Sequence, residues 1–459
     1  MATFQAVPEV SSKLLERMRE ARERTDAIFR LLPPNSFYER PIAERHRLIF
    51  YLGHVEAFDW NLLSGPLGIT SRNPEFDKLF AFGIDPVGGG LPTDVPSDWP
   101  QIAHVEKYNR VVREQIDAGL RHPSAAHAAD EALASGELLQ VAIEHRLMHA
   151  ETLAYLLHGL SPEKLIAPAN ATAGSRSASS PAPSQRMAAI TEGIATLGQA
   201  RRGADAFGWD NEFGEAKEFV PAFAIGAYPV TNGEYLKFVE AGGYAAEEYW
   251  KAEDWAWQRG TKLEHPHFWR RRSSDGNGAG SSSGAGAHWG YRSMFGEIDL
   301  PLAWPVYVSH AEASAYARWA GKKLPTEAQW HRAAYGQQGG GERSYPWGEQ
   351  WPDASRGNFH HERWDAAPVD AHPAGASAFG VFDLLGNGWE WTSSIFGPLP
   401  GFEARAFYPG YSANFFDGKH FVMKGGSART DACMLRRSFR NWFQPHYPYV
   451  YATFRCVEE

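Results

Sequence analysis

The chain has 459 residues and a formal net charge of -9, a length that suits two or three domains better than one. The acidic balance comes without any basic run, so a nucleic-acid or anionic-membrane partner has no electrostatic footprint here. Cys433 and Cys456 are the only cysteines, and neither an apolar run of about 18 residues nor a charged-then-apolar leader occurs. These features read as a soluble, cytoplasmic protein with a small-molecule task and no disulfide framework.

Four helical patterns, 9–32, 41–63, 101–121 and 131–160, come first and suggest an up-down bundle. The prolines of "LPPNSFYERP" separate the first from the second, and Asp130 stands where a cap precedes Glu131. "APANATAGSRSASSPAPSQ" then carries no large apolar residue and reads as an interdomain linker. Beyond it the character changes to short strand-like runs with many Gly and most of the 17 Trp. Aromatic content of 14 % is too high for a simple helical bundle. Helices are predicted at "TNGEYLKFVEAGG" and "SHAEASAYARWAGKK", each with Thr or Ser at its start and Gly at its end. "GSSSGAGAHWG" reads as a surface loop. The predicted division is a helical domain over 1–166, a linker over 167–186 and an α+β domain over 187–459.

Chemistry concentrates in "VAIEHRLMHAETLAYLLHGL", which reads as an amphipathic helix with Leu138, Ala142, His145, His149 and Leu156 on one face. Imidazoles at i and i+4 can close on one metal ion, or can be two buried rings hydrogen-bonded to neighbouring groups. In "RHRLIFYLGHVEAFDWNLL", His54 shares a face with Phe50, Phe58 and Leu62, so it too points inward. Three such rings could meet in a transition-metal site with coordination positions left open. Glu56, Asp59, Glu144 and Glu151 offer an alternative ligand or acceptors for the ring N–H groups, the latter role suiting Glu144 and Glu151. His46 and His158 lie off these faces. The tryptophans Trp319, Trp330, Trp347, Trp389 and Trp391, and Glu390 of "GNGWEWT", read as structural.

"RPIAERHRLIFYLGHVEAFDWNLL" and "EHRLMHAETLAYLLH" resemble the DinB-like four-helix bundle of the ergothioneine-type sulfoxide synthases, the EgtB family. The ordered motifs "AYPVTNGEYLKFVEAGGY", "PVYVSHAEASAYARWAGKKLPTEAQWHRAAYG", "YPWG", "GVFDLLGNGWEWTSS", "MKGGS" and "RRSFRNWFQPHYPYVYATFRC" resemble the C-type-lectin-like, formylglycine-generating-enzyme-like α+β domain of that family. The resemblance implies that His54, His145 and His149 bind Fe(II), that dioxygen is a co-substrate, and that hercynine, the trimethylbetaine of histidine, is the acceptor of a chalcogen donor. It places Asn441 and Trp442 at the betaine end.

Departures from the pattern suggest the donor. Phe443 and Tyr447 stand where enzymes using glutamylcysteine tend to have an acidic residue and an arginine. Leu399 stands where a tyrosine is common, and Met148 where a glutamine is common. This combination is more similar to the selenoneine-synthase branch, which implies a selenosugar donor and carbon–selenium bond formation. The alternatives are a cysteine or glutamylcysteine thiol donor, or a metal-dependent thiol transferase that needs no dioxygen. Formylglycine generation would need two closely spaced cysteines, and Cys433 and Cys456 are far apart in the chain. No catalytic acid or base is apparent in the sequence.

Overall fold

The computed structural model describes residues 12–81, 91–121, 130–169, 181–201, 207–272 and 289–458. The chain forms two compact units, Met1–Pro168 and Ala169–Glu459. The fold class is α+β, with a helical first unit and mixed helix and strand in the second.

In the first unit α1 (Ser12–Phe29), α2 (Leu48–Leu67), α3 (Pro74–Leu79) and α4 (Ile102–Arg121) are followed by the one-turn α5 (Glu131–Ala134) and the long α6 (Glu137–His158). Helix α1 packs along α6, and α2 along α4. Asp130 caps α5 by accepting from the Leu133 N–H at 2.8 Å. Three patterns differ from the sequence reading. Helix α1 ends at Phe29 rather than at residue 32, and residues 9–11 lie outside the described residues. Helix α2 starts at Leu48, after an extended Arg47, rather than at residue 41, and runs to Leu67, where Gly68 (φ 67) caps it, rather than to residue 63. The pattern over 131–160 is two helices, because Gly136 (φ 78) takes a left-handed conformation that a residue with Cβ rarely adopts.

Helix α6 is buried on all sides rather than amphipathic, with Glu144, His145, Arg146, Leu147 and His149 all inside. Its charged face is satisfied by Arg146, which donates to both Glu56 oxygens at 2.9 Å, to Asp59 and to the Val55 carbonyl. Glu56 also accepts from Arg113 at 2.6 Å, and Arg113 donates to both Asp26 oxygens at 2.7 Å. One charge cluster therefore ties α1, α2, α4 and α6 together. Burial alone would raise the Glu56 carboxyl, but Arg146 and Arg113 outweigh it and hold it at about 2. Burial prevails at Asp59, whose pKa is raised.

The second unit has twelve labelled strands among the described residues. Strand β1 (Met187–Ile190) pairs with β4 (Phe223–Gly226), which also carries β12 (Val457–Glu458). A hairpin joins β2 (Gly193–Leu197) to β3 (Ala216–Val220), and β5 (Trp269–Arg271), β6 (Trp289–Ser293) and β7 (Gly296–Asp299) form a third sheet. The fourth has the order β10 (Asn441–Phe443), β9 (Phe421–Gly426), β8 (Gly388–Ile395), β11 (Ala452–Thr453), antiparallel except for β8 with β11. Its register sets Asn441 opposite Met423 and Phe443 opposite Phe421.

Helices α7 (Asn232–Glu240), α8 (Ala252–Thr261), α9 (His310–Trp319) and α10 (Glu327–Tyr335) accompany these sheets. Reciprocal capping boxes start three of them, Thr231 with Glu234, Ser309 with Glu312, and Thr326 with Gln329. Trp330 and Trp391 are fully buried, and Trp330 Nε1 donates to Glu390 at 2.8 Å. Glu390 also accepts from Arg455 at 2.6 and 2.7 Å, so "GNGWEWT" is a turn leading into a buried strand held by an ion pair.

Within the expected linker, residues 170–180 lie outside the described residues. So do residues 280–288 of the expected surface loop "GSSSGAGAHWG", whose Trp289 and Gly290 instead open β6. Cys456 is a buried free thiol. Among the described residues no helix is long and apolar enough to cross a membrane.

Replacing Arg146 with Met leaves two buried carboxylates short of a counter-charge, a class of change that costs about 3–5 kcal/mol. The expected result is a lower unfolding midpoint for the helical unit in urea followed by circular dichroism. A midpoint equal to wild type would show that the cluster is not structural.

Candidate functional site

His54 on α2 and His145 and His149 on α6 meet inside the bundle. Each offers a ring nitrogen, and these three atoms lie within 4.8 Å of one another. The rings are 2–5 % exposed. The pair one helical turn apart has its Nε2 atoms 3.2 Å from each other, and the His54 ring centroid is 4.8 Å from that of His149 and 5.4 Å from that of His145. Aromatic rings wedge the set in place: Phe58 stacks on His145 at 3.4 Å and Phe50 on His54 at 4.9 Å.

The protonation state follows from the surroundings. His54 Nδ1 lies 2.7 Å from the Phe80 carbonyl oxygen, to which a ring N–H there donates, leaving the Nε2 lone pair directed away. Burial pushes the His54 pKa down to about 4, and it pushes His145 and His149 well below their ordinary value, with neighbouring imidazoles reinforcing the shift. Neutral imidazole is the form that binds a metal.

The residues fit a transition-metal ion. The two facing Nε2 atoms can share only one proton, while the Nδ1 atoms of His145 and His149 are buried without a hydrogen-bond partner among the described residues. Two imidazole nitrogens about 2.1 Å from one ion and at right angles would sit about 3 Å apart, close to the 3.2 Å observed. A cation would turn converging lone pairs into ligands.

The carboxylates sort differently from the open choice left by the sequence. Glu56 and Asp59 are taken up by Arg146, and among the described residues the metal-sized cluster holds only the three histidines. Glu144 is buried and Glu151 half-buried. His46 is half-buried and packs at a tilt against Phe50, with centroids 4.2 Å apart, and His158 is buried. The sequence did not point to Phe80 or Gly53. A Cβ at Gly53 would stand 2.5 Å from the Phe80 ring, so only glycine there lets Phe80 approach α2 and offer its carbonyl to His54.

In the second unit Asn441, Trp442 and Phe443 form β10 and are half-buried. Trp442 lies flat on Phe396, with centroids 4.2 Å apart and planes 7° apart, and Tyr411 and Phe415 flank it. Asn441 Oδ1 accepts from the Trp442 N–H at 2.8 Å. Arg440, paired with Glu327 at 2.9 and 3.0 Å, donates to the Gly397 carbonyl and lies over Phe396, fixing that ring from behind. Phe443 and Tyr447 stack on each other at 5.2 Å. Leu399 is buried against Gly198, and Met148 is half-buried on α6 beside His149.

The fold and the histidine cluster define a class, a helical bundle with an imidazole-rich core joined to a mixed α+β domain. Residues 17–153 match the DinB superfamily, and residues 175–459 match the sulfatase-modifying factor enzyme 1-like domain. The chain belongs to the EgtB-like family, which combines these two domains. It is 41 % identical over 251 residues to a hercynine oxygenase of Mycobacterium tuberculosis, covering 54 % of this chain and 55 % of that protein. It is 26 % identical over 513 residues to ergothioneine biosynthesis protein 1 of Neurospora crassa, covering 94 % of this chain and 56 % of that one. A formylglycine-generating enzyme of Streptomyces coelicolor is 31 % identical over 285 residues, covering 54 % of this chain and 84 % of its own length. The chain thus spans little more than half the length of the hercynine and ergothioneine relatives.

Because the histidine pKa values are depressed in the fold, the neutral rings contribute stability that is full above about pH 6.5 and is lost as pH falls through about 4. For His54 the shift corresponds to an effect on the order of 3 kcal/mol. Thermal scans of the metal-free protein should show a falling midpoint across this window. Anaerobic ferrous ion at pH 7 should raise the midpoint, since it binds the folded site. A midpoint insensitive to ferrous ion would contradict a metal role.

Proposed function

We propose that this chain is an iron(II)- and dioxygen-dependent oxidoreductase that joins a chalcogen donor to hercynine, at the imidazole carbon between the two nitrogens. The observation that carries this reading is the buried three-histidine cluster in a chain of the EgtB-like family. His54, His145 and His149 would hold the iron, which when bound supplies the redox chemistry of dioxygen. The protein supplies the rest. The Phe80 carbonyl keeps His54 in its metal-binding tautomer, and Phe50 and Phe58 keep bulk water from the rings. Trp442, held flat by Phe396, offers an aromatic wall to the trimethylammonium group, and Asn441 stands beside it.

The relatives named for hercynine oxygenation and ergothioneine biosynthesis support a sulfur donor, cysteine or glutamylcysteine. A second reading rests on the Phe443–Tyr447 stack, with Leu399 and Met148 as further apolar residues at the positions the resemblance singles out. An aromatic pair gives no counter-charge to donor carboxylates but suits a neutral sugar, and this favours a selenosugar and selenoneine biosynthesis. Formylglycine generation finds less support: burial pushes the Cys456 thiol up to about 12, and it stands far from Cys433 in sequence.

Two measurements test these readings. Trp442→Leu should weaken hercynine binding about 5- to 30-fold through loss of 1–2 kcal/mol of cation–aromatic attraction, read by calorimetry on the iron-loaded protein. Unchanged affinity in a folded variant removes Trp442 from the site. With hercynine, dioxygen and equal concentrations of cysteine, glutamylcysteine, a 1-thiosugar and a 1-selenosugar, mass spectrometry identifies the donor. A dominant cysteine or glutamylcysteine sulfoxide adduct supports the sulfur reading, and a dominant selenosugar adduct the second. No hercynine adduct and no oxygen consumption would overturn both.

A further inference from the structure

A histidine–carboxylate pair lies next to the residues assigned to the donor. His446 Nε2 is 2.8 Å from Asp254 Oδ1, across 192 positions of sequence, and the His446 ring lies flat on Trp257 with centroids 4.8 Å apart and planes 6° apart. Asp254 and Trp257 are neighbours on one face of α8, one turn apart. The Asp254 side chain is 5 % exposed, whereas that of His446 is 30 % exposed. The carboxylate is thus a fixed acceptor behind the ring, and the ring reaches solvent. With Nε2–H donated to Asp254, the lone pair of the neutral imidazole is on Nδ1.

The segment carrying His446 is itself fixed. The Ala311 N–H at the start of α9 donates to the Pro445 carbonyl at 3.1 Å, Phe443 pairs with Phe421 across β10 and β9, and the Phe421 ring stacks on His310 at 3.7 Å. His446 therefore lies in the turn between Phe443 and Tyr447, the two residues stacked in the expected donor pocket. Nothing in the helical packing requires a histidine there, since either a hydrophobe on Trp257 or a hydrogen-bond donor to Asp254 would meet one contact alone.

We propose that His446 is the base that ionises the donor, with Asp254 and Trp257 as its positioning residues. This rests on the hercynine–chalcogen reading above. The step is a proton transfer without change of oxidation state: the donor's S–H or Se–H bond breaks, its electron pair stays on the chalcogen, and the proton passes to Nδ1. Asp254 then faces an imidazolium and stabilises it. The requirement is chemical, because the thiolate rather than the thiol is the nucleophile and the metal ligand. A selenol, more acidic than a thiol, needs this help less.

The test uses the full-length, iron-loaded enzyme with hercynine and dioxygen, and with glutamylcysteine, a 1-thiosugar and a 1-selenosugar as donors. His446→Ala and His446→Gln should lower kcat/KM for the thiol donors about 100-fold or more, with a smaller loss for the selenol and with iron content and hercynine affinity unchanged. Added imidazole should restore part of the activity of His446→Ala. The pH–rate profile for thiols should shift to alkaline values in both variants, and Asp254→Asn should give an intermediate loss. His310 on α9 interacts electrostatically with His446, with Asp254 and with Lys251, the residue that precedes α8; a Lys251→Met control should keep the wild-type profile shape. Wild-type rates and pH profile in His446→Gln overturn the assignment, as does a loss that imidazole does not relieve and that is accompanied by weaker hercynine binding. Wild-type enzyme that turns over no donor refutes the hercynine reading and this step with it, whereas wild-type turnover retained in the variants removes only His446.

Discussion

A buried guanidinium holds the histidine cluster together. Arg146 has no exposed surface, and it reaches Glu56 and Asp59 on α2 while His145, its neighbour in sequence, meets His54 and Phe58 of the same helix. Glu56 is two residues from His54, so the same ion pair that fixes the spacing of α2 and α6 sets the distance between the first histidine and the other two. Arg113 and Asp26 extend this lock to α4 and α1. Desolvating such charges is costly, and their mutual pairing offsets that cost only in a well-defined geometry. The cluster therefore specifies one helix arrangement, and the imidazoles inherit their convergence from it.

The second unit solves a comparable problem with aromatic rings. The Glu327–Arg440 pair is buried, Arg440 lies over Phe396, and Phe396 holds Trp442 in a stack nearly parallel to it. An indole fixed in this way loses little side-chain freedom when a ligand arrives. On the proposed reading that ligand is a quaternary ammonium, for which a pre-set aromatic face is well suited. On that reading the bundle would hold the metal and the α+β domain would recognise the organic substrates.

Much of this was readable from the sequence, and for local reasons. The α+β class followed from the change at the linker, from long helical periods to short runs rich in Gly and Trp. The helix starts at Thr231 and Ser309 were legible because capping is written within four residues. The inward direction of His54, His145 and His149 followed from their spacing on two helices. What was not legible involves partners distant in the chain. Glu56 and Asp59 could be read as ligands because nothing in sequence assigns them to Arg146, about ninety positions away. The Phe80 carbonyl carries no residue-type signal, and its role depends on the missing side chain of Gly53. The amphipathic reading of α6 failed because a buried arginine resembles a solvated one in any periodicity. Asp254 and His446 meet only through the packing of α8 against the segment after β10.

The central claim is that three imidazoles from the bundle bind one iron. X-ray absorption at the iron edge of protein loaded anaerobically with one equivalent of ferrous ion tests it most directly, with His149→Ala as the comparison. The expected spectrum shows three imidazole scatterers per iron, with lighter oxygen atoms in the remaining positions, and one imidazole fewer in the variant. A shell dominated by carboxylate or thiolate ligands, or one unchanged when His149 is replaced, would contradict the claim.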